Sequence, residues 1–112
     1  MKPANLKTIL AVTALLACTA KIIAADAQEI WEKNCAACHG KDGKGETKMG
    51  KKSGCKDYTD AKVQTEMTDE KVLKAIKEGV KEGDKEKMKS FADKVSDDEA
   101  KALIVYIRTF KK

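Results

Sequence analysis

The scarcity of aromatic residues limits the core that this chain can build. Only five aromatic side chains occur among 112 residues, so one small domain would have a thin polypeptide core and would need another source of stability. Convincing strand patterns and internal repeats are also absent, which favours an all-α fold. No apolar run is long enough to span a bilayer, which argues against a permanent transmembrane anchor.

The N-terminal segment has the features of a secretory signal peptide. Two lysines precede a short apolar run at residues 9–17, and the A-x-A sequence of residues 25–27 supplies a cleavage site. We therefore expect residues 1–27 to be removed and residues 28–112 to form one exported domain, in the periplasm or an equivalent compartment.

A second interpretation of the same segment is a lipoprotein signal. Leu15, Leu16 and Ala17 precede Cys18 as in a bacterial lipobox, and cleavage before Cys18 would leave a lipid-anchored protein on a short tether. Membrane attachment is expected only in that form or through a membrane-bound partner.

Cysteine is too sparse for a disulfide framework. Removal of residues 1–27 leaves Cys35, Cys38 and Cys55, an odd number. Cys55 has no evident partner, and we interpret it as a small buried hydrophobic residue on a loop.

Cys35, Cys38 and His39 form the sequence C-x-x-C-H, which is the spacing that attaches a c-type haem. On one helical turn the two thiols can form thioethers with the porphyrin vinyl groups, and the imidazole is left as an axial ligand of the iron. A buried porphyrin would also supply the apolar body that the aromatic-poor core lacks. The motif therefore predicts one covalent haem c.

Two other chemistries use the same residue types. A redox disulfide of the thioredoxin kind needs a βαβ context, which the flanking sequence does not provide. A zinc site is the stronger alternative, because Cys55 would complete a Cys₃His ligand set. Its weakness is that Cys38 and His39 are consecutive, so directing both at one ion would strain the backbone.

Three segments have helical periodicity. The first covers residues 26–38 and ends at Gly40. The second begins at Thr68, a predicted N-cap, and closes at Gly79, after which residues 81–87 are predicted to be a turn or loop. The glycine-rich and lysine-rich residues 40–56 are predicted to be a loop as well.

The third helical segment has the strongest periodicity. Ser96 and Glu99 form a capping-box sequence at its start. Its apolar face consists of Ala100, Leu103, Ile104, Ile107 and Phe110, with Tyr106 beside it. A face of this width must pack against another element.

Together these features resemble the small bacterial class I cytochromes c over nearly all of residues 28–112. Trp31 stands one turn before Cys35, as an aromatic residue does in that family, and Leu103, Tyr106 and Ile107 match the contact face of its C-terminal helix. The resemblance implies the cytochrome c fold, in which N- and C-terminal helices cross and loops and a middle helix surround one haem.

The same resemblance implies a second axial ligand. Met88, followed closely by Phe91, matches the methionine that binds iron opposite the histidine. The proline common near that methionine is replaced by Ser90, so we expect a less rigid loop. Met67 is the next candidate ligand, whereas Met49 is expected to be an exposed or packing residue.

Tyr58 lies in a segment that resembles one near the haem propionates in that family. Trp31 and Tyr58 are therefore expected to contact the haem pocket. If His39 and Met88 both bind iron, no coordination position is open to a substrate, and the chain is expected to carry electrons rather than to act as an enzyme. If Met88 does not bind, a peroxidase or a gas sensor is the alternative.

Positive charge is concentrated just after the motif. Residues 40–56 contain six lysines and two acidic residues, whereas residues 57–112 carry thirteen charges of each sign. Such a patch would steer the acidic docking surface of a redox protein partner toward the haem; the alternative is a solvated loop. Nucleic-acid binding is not expected, because no aromatic residues interleave with these lysines. We also expect the protein to be a monomer.

Overall fold

The computed structural model describes residues 24–112. The predicted apolar run of the leader and the alternative lipidation site at Cys18 lie outside the described residues. Within residues 24–112, none of the helices has the length and apolar character needed to cross a membrane.

Six helices and one hairpin make up the described chain. They are α1 Ala24–Asn34, α2 Ala36–His39, α3 Lys48–Ser53, α4 Ala61–Glu66, α5 Asp69–Glu78, β1 Val80–Glu82, β2 Lys85–Met88 and α6 Asp97–Arg108. Helix α6 packs against both α1 and α5, and α2 packs against α3. The predicted helical fold, with its N- and C-terminal helices in contact, is confirmed.

The predicted cleavage site overlaps the first helix. Residues 25–27 lie in the first turn of α1, and the side chain of Ala27 is buried. Cleavage after Ala27 would remove this turn together with a buried alanine, whereas cleavage a few residues earlier would leave α1 intact. The position of cleavage stays a prediction.

The apolar core lies between α1, α5 and α6. The predicted stripe of α6 is buried from Ala100 to Ile107, and Phe110 packs at its edge. The other buried members of the same cluster are Trp31, Val72, Ile76, Phe91 and Val95.

Three of the other four aromatic residues gather around Trp31. Its ring centroid lies 5.1 Å from that of Phe110, 5.9 Å from that of Tyr106 and 6.2 Å from that of Tyr58. Tilted aromatic pairs at such distances contribute beyond the area they bury. The few aromatic side chains are therefore concentrated at the contact between the terminal helices.

The predicted bounds of the second helical segment and the predicted start of the third are confirmed, and α6 ends at Arg108, two residues before Phe110. The Thr68 side chain accepts a hydrogen bond from the Lys71 amide at the start of α5. At the start of α6, the Glu99 amide donates to Ser96 Oγ at 3.1 Å and the Ser96 amide donates to Glu99 Oε1 at 3.0 Å. These reciprocal bonds satisfy amide groups that would otherwise have no helical partner.

The first helical segment is divided at Cys35, where the sequence predicted one continuous pattern. Cys35 has φ −114°, yet its amide still donates to the Trp31 carbonyl and its carbonyl accepts from the His39 amide. The division is thus a local distortion of the helix at Cys35. The short helix α2 carries Cys38 and His39, the rest of the motif.

The sequence predicted a loop over the whole of residues 40–56, but part of this segment is helical. Helix α3 forms within them because Thr47 caps it, accepting a hydrogen bond from the Gly50 amide at 2.9 Å. Helix α4 was also not predicted, and Asp60 caps it by accepting from the Lys62 amide. Both helices are six residues long, too short to show a periodic pattern.

Residues 81–87 were predicted to be a turn or loop but form an antiparallel hairpin. Val80 pairs with Met88 and Glu82 pairs with Lys85 across the turn at Gly83 and Asp84. The strands are rich in charged residues and mostly exposed, so no alternation of apolar residues marks them. The Gly-Asp dipeptide was the available signal, because glycine suits the first position of a two-residue hairpin turn.

Candidate haem site

Two adjoining cavities form one cleft between the helices and the hairpin. Their volumes are about 550 Å³ and about 1260 Å³, and both figures include space open to solvent. Both cavities are lined by Cys35, His39, Tyr58, Ala75 and Met88. Trp31 lines the smaller cavity and Cys38 the larger one, so all six residues predicted from the sequence lie at this cleft.

The inner wall of the cleft is apolar. Side chains of α5 and α6 contribute Val72, Ile76, Leu103 and Ile107 to the smaller cavity. An apolar wall of this kind suits a porphyrin face, and it keeps water from a bound metal.

His39 has the properties of a metal-binding imidazole. Burial lowers its pKa, which favours the neutral ring, and its Nδ1 is buried without a hydrogen-bond partner. The ring stacks on Tyr58 with centroids 5.2 Å apart and lies 5.5 Å from Trp31. A neutral imidazole with a ring nitrogen free of protein hydrogen bonds is able to ligate iron.

Three hydrogen bonds fix the backbone around the motif. Trp31 Nε1 donates to the Gly40 carbonyl at 2.9 Å, Thr47 Oγ1 donates to the Cys38 carbonyl at 2.7 Å, and the Gly45 amide donates to the His39 carbonyl at 2.8 Å. A side-chain carbon at Gly50 would lie 2.2 Å from the Cys38 carbonyl oxygen. Glycine therefore allows α3 to approach α2 closely.

Comparison with known proteins agrees with this geometry. The family described as "Cytochrome C oxidase, cbb3-type, subunit III" matches residues 23–107. The chain belongs to this family of c-type cytochromes. The solved structure of KustC0563 c-type cytochrome is 34% identical, with a TM-score of 0.69, and the match covers 77% of this chain and 98% of that chain.

A tyrosine-to-phenylalanine mutant of Kustc0563 is also similar, with 34% identity, a TM-score of 0.67 and coverage of 77% of this chain and 99% of that chain. No curated protein matches the cytochrome. Membership of the family implies a covalently bound haem c with its iron, and proteins of this family transfer electrons.

The thiols of Cys35 and Cys55 are both neutral at physiological pH, because burial, with a smaller contribution from Cys38, raises the pKa of Cys35 to about 12 and also raises the pKa of Cys55. The arrangement of the side chains argues against the zinc alternative. Among residues 24–112, no three histidine, cysteine or acidic side chains converge to hold a metal ion.

The three methionines within the described chain occupy different places. Met88 ends β2 and lines both cavities, whereas Met67 lines only the smaller one. Met49 lies at the outer edge of the larger cavity with 58% of its surface exposed. The prediction that Met49 is an exposed or packing residue is confirmed.

Gln64 and Arg108 support the cleft, although the sequence gave no sign of either role. The buried Gln64 amide donates to the Tyr58 carbonyl at 2.6 Å and to the Ile107 carbonyl at 2.9 Å. Arg108 donates to Gln64 Oε1 at 2.8 Å and to the Met67 carbonyl at 2.6 Å. Together, Gln64 and Arg108 hold the backbone of the cleft residues Tyr58 and Met67 against α6.

We expect the substitution Gln64→Leu to lower the free energy of unfolding by about 1–3 kcal/mol, because it removes the side-chain hydrogen bonds of Gln64 to the Tyr58 and Ile107 carbonyls and to Arg108. Urea unfolding of the haem-loaded cytochrome measures this. Lys62→Ala, on the exposed side of the same helix, is the control and should change the value by less than about 0.5 kcal/mol. Equal losses in the two variants would contradict the supporting role of Gln64.

Proposed function

We propose that this cytochrome is an exported one-electron carrier with a haem attached through Cys35 and Cys38 and ligated by His39 and Met88. The observation that supports this most directly is the placement of all four residues around one cleft. When bound, the haem iron supplies a one-electron couple that His/Met ligation and an apolar pocket shift toward the ferrous form.

The residues of the cleft would suit an electron carrier, because neutral His39 and the soft thioether of Met88 would both hold the iron and leave no place for peroxide or a diatomic gas. Apolar side chains of α5 and α6 line the same space and would limit the access of water to the iron.

Trp31 and Tyr58 would support the haem without adding charge to the pocket. Trp31 is buried against α6. Burial, with smaller contributions from Cys55 and Cys35, raises the pKa of Tyr58 to about 12. The Tyr58 hydroxyl therefore stays neutral at physiological pH. Neither side chain would bring a charge next to the cofactor.

The proposed partners are redox proteins with acidic docking surfaces. Helix α3 borders the larger cavity through Met49 and Ser53, and Lys48, Lys51 and Lys52 are exposed on the same helix. Positive charges on a helix that borders the cleft would raise the rate of encounter with an acidic partner. Such a partner would be an exported dehydrogenase or a membrane-bound redox complex, and the cytochrome would act as a monomer.

Haem attachment is tested by export of the cytochrome in a host that matures c-type haem, followed by mass measurement under denaturing conditions. The wild type and Cys55→Ser should both carry one covalent haem. Cys35→Ser combined with Cys38→Ser should carry none, because the motif supplies both thioethers. Absence of haem from the wild type would contradict the proposal.

Substitution of Met88 by alanine should abolish the methionine–iron charge-transfer band of the oxidised protein. It should also lower the reduction potential by on the order of 0.1 V, since axial ligands tune haem potentials over a range of about 0.8 V. Visible spectroscopy and redox titration measure both effects. Met67→Leu is the matched control and should keep the band.

A band that survives in Met88→Ala but disappears in Met67→Leu would assign the ligand to Met67. High-spin iron in the wild type would instead favour the open-site alternative.

Replacement of Lys48, Lys51 and Lys52 by glutamine should flatten the salt dependence of electron transfer to an acidic partner, because screening then has fewer charges on which to act. Stopped-flow kinetics at several ionic strengths measure this. The control is the same replacement at Lys62, Lys94 and Lys111, which are exposed but do not lie on α3. An identical salt profile in both triple variants would count against docking at α3.

A further inference from the structure

The segment that follows Met88 is attached to the end of α5 at two points. Ser90 Oγ donates to the Lys77 carbonyl at 2.5 Å, and the Phe91 amide donates to the Ile76 carbonyl at 2.8 Å. Both acceptors lie in the last turn of α5, where carbonyl groups have no amide partner within the helix. The segment therefore satisfies the end of α5 while α5 holds the segment.

The Ser90 hydroxyl also organises its own segment. It accepts a hydrogen bond from the Ala92 amide at 3.3 Å while it donates to Lys77. A hydroxyl is able to donate and accept at once, so one small side chain links two stretches of backbone. The neighbouring Phe91 side chain is buried in the core, which fixes the far end of the segment.

On its other side, Met88 is confined by Gly79. Gly79 has φ +77°, and a side-chain carbon there would lie 2.5 Å from the Met88 carbonyl oxygen. Met88 also pairs with Val80 in the hairpin. The backbone of Met88 is thus held against the end of α5. Two residues further along, the Ser90 side chain adds its hydrogen bond to the Lys77 carbonyl.

We propose that Ser90 is a positioning residue for Met88, whose hydroxyl keeps the methionine segment against α5 so that the thioether stays available to the iron. The sequence predicted a less rigid loop here, because serine replaces a proline whose ring would fix φ. The hydrogen bond to Lys77 supplies a different restraint at the same position. This inference rests on the proposed ligation by Met88.

The experiment measures the rate at which cyanide binds to the oxidised, haem-loaded cytochrome. Cyanide must replace Met88, so its rate reports how often the methionine segment leaves the iron. Ser90→Ala should raise this rate about 2- to 10-fold, which is the factor expected for loss of one hydrogen bond. The charge-transfer band should weaken in parallel.

A second pair of variants isolates the hydroxyl from the size of the side chain. Ser90→Thr should keep the wild-type rate and Ser90→Val should match Ser90→Ala, because threonine and valine differ chiefly by the hydroxyl. Ser96→Ala removes the cap of α6, and it controls for a general loss of stability. Its cyanide rate should stay close to that of the wild type.

Three results would overturn the proposal. Equal cyanide rates in the wild type and Ser90→Ala, with the charge-transfer band present in both, would reject positioning by Ser90 and leave the ligation by Met88 intact. An equal increase in Ser90→Ala and Ser96→Ala would show an effect of stability alone. A wild type without the band would reject the ligation itself, and with it the role of Ser90.

Discussion

The buried side chain of Trp31 holds together the parts of the chain that the haem site requires. Its indole nitrogen bonds the Gly40 carbonyl just after the motif, while its rings contact Phe110 and Tyr106 from the C-terminal helix. These aromatic contacts add to the packing of Leu103, Ile104 and Ile107 in the core that joins α1 to α6. The motif is therefore carried by α1 and α2 but placed by the contact between α1 and α6.

The parts of the fold that could be predicted from sequence are those with local signals. Ser96 with Glu99, and Thr68 before an apolar stripe, define helix starts through chemistry confined to a few residues. The C-x-x-C-H motif likewise fixes its own chemistry within five positions. Met88 and Tyr58 lie at the expected cleft as well, but their places were supplied by the family resemblance and not by a local signal.

The features that escaped prediction depend on distant partners or weak patterns. Gln64 and Arg108 are 44 positions apart, and nothing near either residue indicates that they meet. The hairpin is too polar and too exposed to show alternation, although its turn dipeptide was readable. The hydrogen bond from the Ser90 hydroxyl to the Lys77 carbonyl could not be predicted for a related reason. A serine in a loop has many possible acceptors, and only the fold determines which one it meets.

The single histidine of the chain has a consequence for the surface of the protein. Histidine is the side chain whose ordinary pKa places its change of charge within the physiological range, and here that residue lies half-buried in the cleft with its Nδ1 atom shielded from solvent. The charged side chains exposed on the described residues are lysines and carboxylates, and no histidine stands among them. That surface therefore lacks the side chain best suited to a pH switch, and the one imidazole serves the cleft alone.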